Sequence, residues 1–203
     1  MKQMKLLGLV AVALTAGMAF AAASASSTVL YKEATPLGKG LSISWSLAGT
    51  TILTTTSGTV LEECTGGGMT GVTSTAGGEK ESVKGVFEKT GVTWSGCTKT
   101  TDTLEGGTFE IRWITGTKNG TVIGSGLKVT IAMAAELGST CSYTLGTGKD
   151  LGELVGVISG DANLGINAVI NGAEGNNFLC PSDTKWVASY VVTSPTPLHV
   201  TQK

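Results

Sequence analysis

Apolar and polar residues alternate with a period of two in segment after segment of this chain, and glycine-rich turns cut the segments short. Leu41, Ile43, Trp45 and Leu47 alternate with Ser42, Ser44 and Ser46; Phe109, Ile111 and Trp113 alternate with Glu110 and Arg112. Leu127, Val129, Ile131 and Met133 alternate with Lys128, Thr130 and Ala132 in the same way. Successive side chains of a strand point to opposite faces, so each segment reads as a half-buried strand. Trp186 to Val192 is apolar on both parities, the pattern of a strand covered on both faces.

Turn signals recur between these runs: Thr65-Gly66-Gly67-Gly68, Gly77-Gly78, Glu105-Gly106-Gly107, Lys118-Asn119-Gly120, Gly146-Thr147-Gly148 and Asn171-Gly172. Asn119-Gly120 between Ile114 and Val122 predicts a type I′ hairpin, which requires positive φ at both central residues. The one helical candidate, Ala132 to Leu137, is short. Many short strands with glycine-rich turns predict an all-β fold, an antiparallel β-sandwich of jelly-roll or Greek-key type. Composition supports order: the 30 glycines are about twice the usual ~7% share, but low hydrophobicity with high net charge, the mark of disorder, is missing.

The first residues carry a different signal. Met1-Lys2-Gln3-Met4-Lys5 is basic, Leu6 to Ala21 is apolar, and Ala23-Ser24-Ala25 fits the small-x-small cleavage pattern. Residues 1–25 therefore read as a cleavable signal peptide and 26–203 as a single domain, long enough to bury roughly 70% of its unfolded surface. The apolar run ends in small residues without stop-transfer charges, so cleavage is expected rather than a transmembrane anchor. The expected address is the periplasm, the cell surface or the medium. A membrane β-barrel is disfavoured because aromatics are too few for two interfacial girdles.

Loss of Lys2 and Lys5 with the leader leaves 12 basic and 15 acidic residues, Arg112 being the only arginine. Nucleic acid is not an expected partner, since it demands clustered Lys and Arg. Cys64, Cys97, Cys141 and Cys180 are an even set in an exported chain and read as two disulfides, with three connectivities open. Sequential pairing, Cys64 with Cys97 and Cys141 with Cys180, is favoured because it asks only that neighbouring strands lie side by side. Close Cys pairs of the zinc-binding kind are lacking, His199 is the only histidine, and no metal or other cofactor is expected.

Catalytic patterns are weak. Gly124-Ser125-Gly126 and Ser95-Gly96-Cys97 do not make a nucleophile elbow, and His199, between Leu198 and Val200, reads as an exposed strand residue. Gly146-Thr147-Gly148-Lys149-Asp150 departs from a phosphate loop at Tyr143 and Asp150. Glu62 and Glu63 are adjacent, hence on opposite faces of a strand; Asp102, Glu110 and Asp161 would have to converge in space to serve a glycosidase. Asp161, Asn163 and Asn167 loosely resemble the start of a calcium loop, but glycine stands fifth rather than sixth, and the plainer reading is the polar face of a strand.

Several strings carry a resemblance: Thr59-Val60-Leu61-Glu62-Glu63-Cys64-Thr65-Gly66, Val92-Thr93-Trp94-Ser95-Gly96-Cys97-Thr98, Cys180-Pro181, and the run from Trp186 to Leu198. With them the chain resembles a group of uncharacterised exported bacterial proteins and, more distantly, the PraB-like proteins named as activators of alkane oxidation. The resemblance implies an exported all-β protein and supplies no catalytic residue.

The expected function is therefore a non-enzymatic structural, adhesive or matrix-type component of the envelope or medium, with envelope proteins or glycans as candidate partners. The alternative is a binding module for an apolar or carbohydrate ligand, including a PraB-like role in hydrocarbon use. That alternative needs some of Trp45, Trp94, Trp113 and Trp186 to be exposed, whereas alternation places Trp45 and Trp113 in the core. A secreted hydrolase comes third.

Overall fold

The computed structural model describes residues 27–99, 101–132 and 140–203. The leader 1–25 lies outside them, as do Met133 and the helical candidate apart from Ala132. Among the described residues there are fifteen strands and no helix. In chain order they begin β1 (Val29–Lys32), β2 (Thr35–Pro36), β3 (Ser42–Leu47), β4 (Thr51–Thr55), β5 (Val60–Thr73), β6 (Val83–Cys97), β7 (Thr101–Glu105) and β8 (Thr108–Trp113). They continue with β9 (Gly120–Ser125), β10 (Lys128–Ala132), β11 (Thr140–Thr144), β12 (Lys149–Val155), β13 (Asn163–Gly172), β14 (Asp183–Ser194) and β15 (His199–Thr201).

The all-β antiparallel character is found, but the expected sandwich is replaced by a closed barrel. Pairing runs β3–β5–β6–β8–β9–β12–β13–β14 and returns from β14 to β3, so eight strands close a ring with no free edge. Closure satisfies the backbone groups that an open sheet leaves at its edges. A sandwich needs two separate sheets, and here the pairs β3–β5 and β13–β14 join what would have been separate.

Four strands are long enough to serve twice. The first half of β5 pairs with β4, and the second half with β3; β14 pairs with β4 through Thr184–Val187 and with β3 through Tyr190–Ser194. A second path of pairs thus continues from β6 through β5, β4, β14, β13, β11 and β10 to β7, which lies beside β6 and so rounds off a second ring by proximity, sharing β5, β6, β13 and β14 with the first. Register shifts occur between Met69 and Gly71 against β6 and between Val192 and Ser194 against β3, the kind of irregularity that bends a strand from one ring into the next. Gly67, with φ +144°, lies at this waist; a Cβ there would run into the Thr93 carbonyl.

Alternation decides what fills the rings. Ile43, Trp45, Met69, Phe87, Phe109, Ile111, Leu154, Leu164, Tyr190 and Val192 point inward in one buried cluster. Each such side chain contributes about 1.5–3 kcal/mol by leaving water. Gly85 is directly opposite Phe109, and a Cβ there would land on the Phe109 ring, while one on Gly71 would lie 2.8 Å from Phe109 Cε1. The two glycines give that ring its space. Outward positions carry Ser42, Ser46, Lys84, Glu153, Asn163, Asn167 and Lys185, all exposed. An apolar interior with a polar outer wall is the reverse of a membrane barrel.

Two strand expectations are corrected. Trp186 to Val192 is not covered on both faces: Val187 is 41% exposed, because β14 is barrel wall and no layer among the described residues packs outside it. The hairpin between β8 and β9 is present, but Asn119-Gly120 is not its turn. Residues 114–119 form a longer loop in which Gly116 takes positive φ, and Gly120 already pairs with Trp113 as strand. Asn119 is used differently, donating to Glu153 Oε1 and accepting from Gly156 N–H.

The small sheet β15–β1–β2 caps the first ring. Its Leu30 and Val200 are buried, as is Leu198 just before β15, and Val200 N–H donates to the Lys118 carbonyl of the β8–β9 loop. Thr28 ties the start of β1 down, its hydroxyl accepting from Trp113 N–H at 2.9 Å.

Candidate functional site

Cys64 is bonded to Cys97 and Cys141 to Cys180. Cys64 and Cys97 face one another across β5 and β6, Cα atoms 3.9 Å apart; the other pair ties β11 to the β13–β14 loop, Cα atoms 5.6 Å apart. Closing loops of 33 and 39 residues stabilises by roughly 3–4 kcal/mol each on the chain-entropy view. Glu62 adjoins the first bridge and is buried, whereas Glu63 is half-buried on the opposite face. Glu62 Oε1 accepts from the Thr98 hydroxyl at 2.7 Å, Lys99 N–H at 2.9 Å and Glu63 N–H at 3.0 Å. The carboxylate thereby pins the segment after β6 onto β5. Among the described residues, Glu62, Cys64 and Cys97 are the one cluster with metal-ligand geometry, and its sulfurs are spent on each other.

The four tryptophans divide evenly. Trp45 and Trp186 are buried, and Trp94 and Trp113 are half-buried against the same core. Trp94 meets Trp186 edge-on at 5.7 Å and donates to the Tyr190 hydroxyl, while Trp186 donates to Thr51 Oγ1 at 2.8 Å. Burial pushes the Tyr190 hydroxyl up to about 12 despite its hydrogen bonds to Trp94 and Thr51. Trp45 and Trp186 are closed off from solvent, and the solvent-reachable indole surface is confined to Trp94 and Trp113. Val92, Trp94, Leu127, Val129, Ile170 and Trp186 surround an apolar cavity of about 10 Å³ in the second ring, with the Lys128–Glu105 ion pair (3.2 Å) beside it. That volume holds about one water molecule. The first ring keeps a similar remnant, also about 10 Å³, beside Trp45 and Phe109.

The candidate acids stay apart in their bonding. Glu110 is held by Arg112 through two contacts of 2.9 and 3.0 Å, and that hydrogen bond holds its carboxyl below the usual range. Asp161 accepts from the Thr196 hydroxyl at 3.2 Å before β13 begins; Asn163 and Asn167 follow on the outer face, opposite Leu164, Ile166, Ala168 and Ile170. The Asp102 side chain lies outside the described set. Lys149 and Asp150 begin β12, and Gly148 N–H is taken by Ser125 Oγ, an ordinary turn.

His199 corrects its sequence expectation, being 4% exposed rather than open. β15 is pulled beneath the first ring by its pairing with β1, which stacks the imidazole on Tyr31 at 5.6 Å, and Nδ1 is buried without a hydrogen-bond partner. Burial, then the charge of Lys118, pushes its pKa below the ordinary histidine value.

What sequence reasoning missed lies on the surface. Phe178 is 92% exposed and Leu179 39% exposed at the tip of the β13–β14 loop. Asn176 clamps that loop to β11: its Oδ1 accepts from Ser142 N–H at 2.9 Å and its Nδ2 donates to the Ser142 carbonyl at 2.8 Å. Asn177 Oδ1 accepts from Leu179 N–H, and the Cys141–Cys180 bond closes the far side. The legible signal was an apolar pair among turn formers, Gly175-Asn176-Asn177-Phe178-Leu179-Cys180-Pro181, outside any alternation. A second surface feature is a groove of about 380 Å³ on the outer wall of β6, β8 and β9, with Val86 and Ile123 among Lys84, Thr108, Glu110 and Ser125. A depression of about 240 Å³ lined by Lys80, Glu81, Ser82 and Lys84 adjoins it.

No protein-family model matches this chain, and neither the curated proteins nor the solved structures contain a match.

Proposed function

We propose that the chain is an exported, non-enzymatic structural or adhesive component of a cell envelope or its surrounding matrix. The observation that carries this reading is the packing of both rings, where the gaps among the core side chains amount to single waters, while the larger hollows open on the outer wall. A partner is then met by the surface. Two disulfides suit an oxidising compartment outside the cytoplasm, and the leader-like first 25 residues supply the route. Envelope glycans and envelope proteins are the partners this reading expects. Co-sedimentation of the mature protein with isolated envelope and matrix material tests it, run beside a panel of polysaccharide, ester and peptide substrates. Retention without turnover is expected; turnover of any substrate that survives repurification overturns the reading.

A second reading, a module for an apolar ligand with a PraB-like role, draws on the Trp94–Trp186 cavity. It requires that cavity to expand well beyond its present volume, and is second for that reason.

A further inference from the structure

We propose that the protein associates head to tail with further copies of itself, the Phe178–Leu179 loop of one copy seating in the Val86–Ile123 groove of the next. This rests on the structural reading above and gives it a contact.

A phenyl ring left 92% exposed on a loop clamped by a disulfide and by both hydrogen bonds of the Asn176 amide is a preorganised knob. Little ordering remains to be lost when it docks. The groove, about 380 Å³, has an apolar floor in Val86, itself 46% exposed, and Ile123. Sites that enclose whole small ligands begin at about 300 Å³, so a phenyl ring and its neighbour have room.

Charge selects the occupant. Residues 173–183 carry Glu174 and Asp183 and no basic residue. The groove and the adjoining depression hold Lys80 and Lys84 against Glu81 and Glu110, and Arg112 is paired with Glu110, so that one positive charge is in excess. An acidic knob suits a groove whose charge excess is positive. It does not suit a lipid surface, where an inserting apolar loop is helped by flanking Lys and Arg. Knob and groove occupy different places, one at the β13–β14 turn of the second ring and one on the β6–β8–β9 wall of the first. Seated one way only, the contact is heterologous, and each copy added leaves a new knob and a new groove at the ends, whereas a reciprocal two-fold pair would fill both at once, stop at the dimer and overturn the head-to-tail arrangement.

The test is sedimentation velocity of the oxidised mature protein at rising concentration, with F178D and V86D as knob-dead and groove-dead variants. Both positions are exposed, and near-ultraviolet circular dichroism checks that each variant is folded. Wild type is expected to grow in mass with concentration, and each variant alone to stay monomeric, with its dissociation constant raised at least about tenfold. An equimolar mixture of the two variants should form dimers that do not extend, because one intact knob and one intact groove remain between them. A wild type that is monomeric to about 1 mM, self-association that survives F178D, or F178-dependent binding to anionic vesicles in place of self-association each overturns the proposal. Monomeric protein that still sediments with envelope material overturns this contact alone, whereas enzymatic turnover overturns the structural reading beneath it.

Discussion

The Trp94 indole N–H donates to the Tyr190 hydroxyl at 3.2 Å, joining β6 to β14 across the interior where the two rings meet. The two residues are 96 positions apart, so the contact exists only when the long strands have closed around it. Its surroundings are apolar, which makes the polar atoms depend on each other. Tyr190→Phe leaves the indole N–H without this acceptor. We expect a loss of about 1–2 kcal/mol, read by urea unfolding, together with a shift in tryptophan emission. Stability unchanged within error would show that the bond is incidental.

Gly85 and Phe109 make a second closed relationship. Gly85→Ala drives a methyl group into the Phe109 ring, and overpacking of this kind costs about 1–3 kcal/mol. Phe109→Leu removes the obstruction but forfeits ring contacts. In a double-mutant cycle the two losses should be less than additive. Simple additivity would contradict the packing.

The disulfides separate by position. Replacing Cys64 and Cys97 together with serine should cost about 2–4 kcal/mol and loosen the strand pair at the β5–β6 end. Replacing Cys141 and Cys180 should cost a similar amount and also loosen the 173–182 loop, where the Asn176 amide and the Ala173 N–H, both bonded to Ser142, then hold it to β11. Limited proteolysis is the readout: cleavage near Phe178 is expected in the second variant only.

His199 sets an acid limit. Its folded pKa is depressed, chiefly by burial and then by Lys118, so the unfolded chain binds the proton more readily. Its contribution is complete above the unfolded value of about 6.5 and is lost as pH falls through the folded value. Stability measured from pH 7 to pH 5 should decline, and the decline should be shallower in His199→Phe, which keeps a ring against Tyr31. An identical slope in the two proteins would assign the acid sensitivity elsewhere.

Much of the wall was legible because alternation is a local property: Ile43, Trp45, Phe109 and Ile111 face inward as their spacing indicates. Ring closure was not, since nothing local records that β5 changes partner from β4 to β3, or that β13 and β14 join across what could have been a gap. The same limit explains Asn119-Gly120, where a strong local turn preference yields to the hydrogen bonds of Asn119 with Glu153 and Gly156. His199 misled because its burial comes from β1, some 170 positions earlier. The cysteines were readable from their even number, but the loop that Cys180 holds in place gained meaning only once Phe178 was seen to point outward.

The central claim is that recognition happens on the outer surface and not inside the rings. Chemical-shift mapping of uniformly labelled mature protein tests it most directly, with envelope glycan fragments and short apolar ligands titrated in turn. The account predicts perturbation of surface amides, those of residues 173–182 and of the β6–β8–β9 wall foremost, with Val92, Trp94, Val129, Ile170 and Trp186 unmoved. Saturable shifts at those five interior residues on addition of an apolar ligand, with the surface silent, would contradict it.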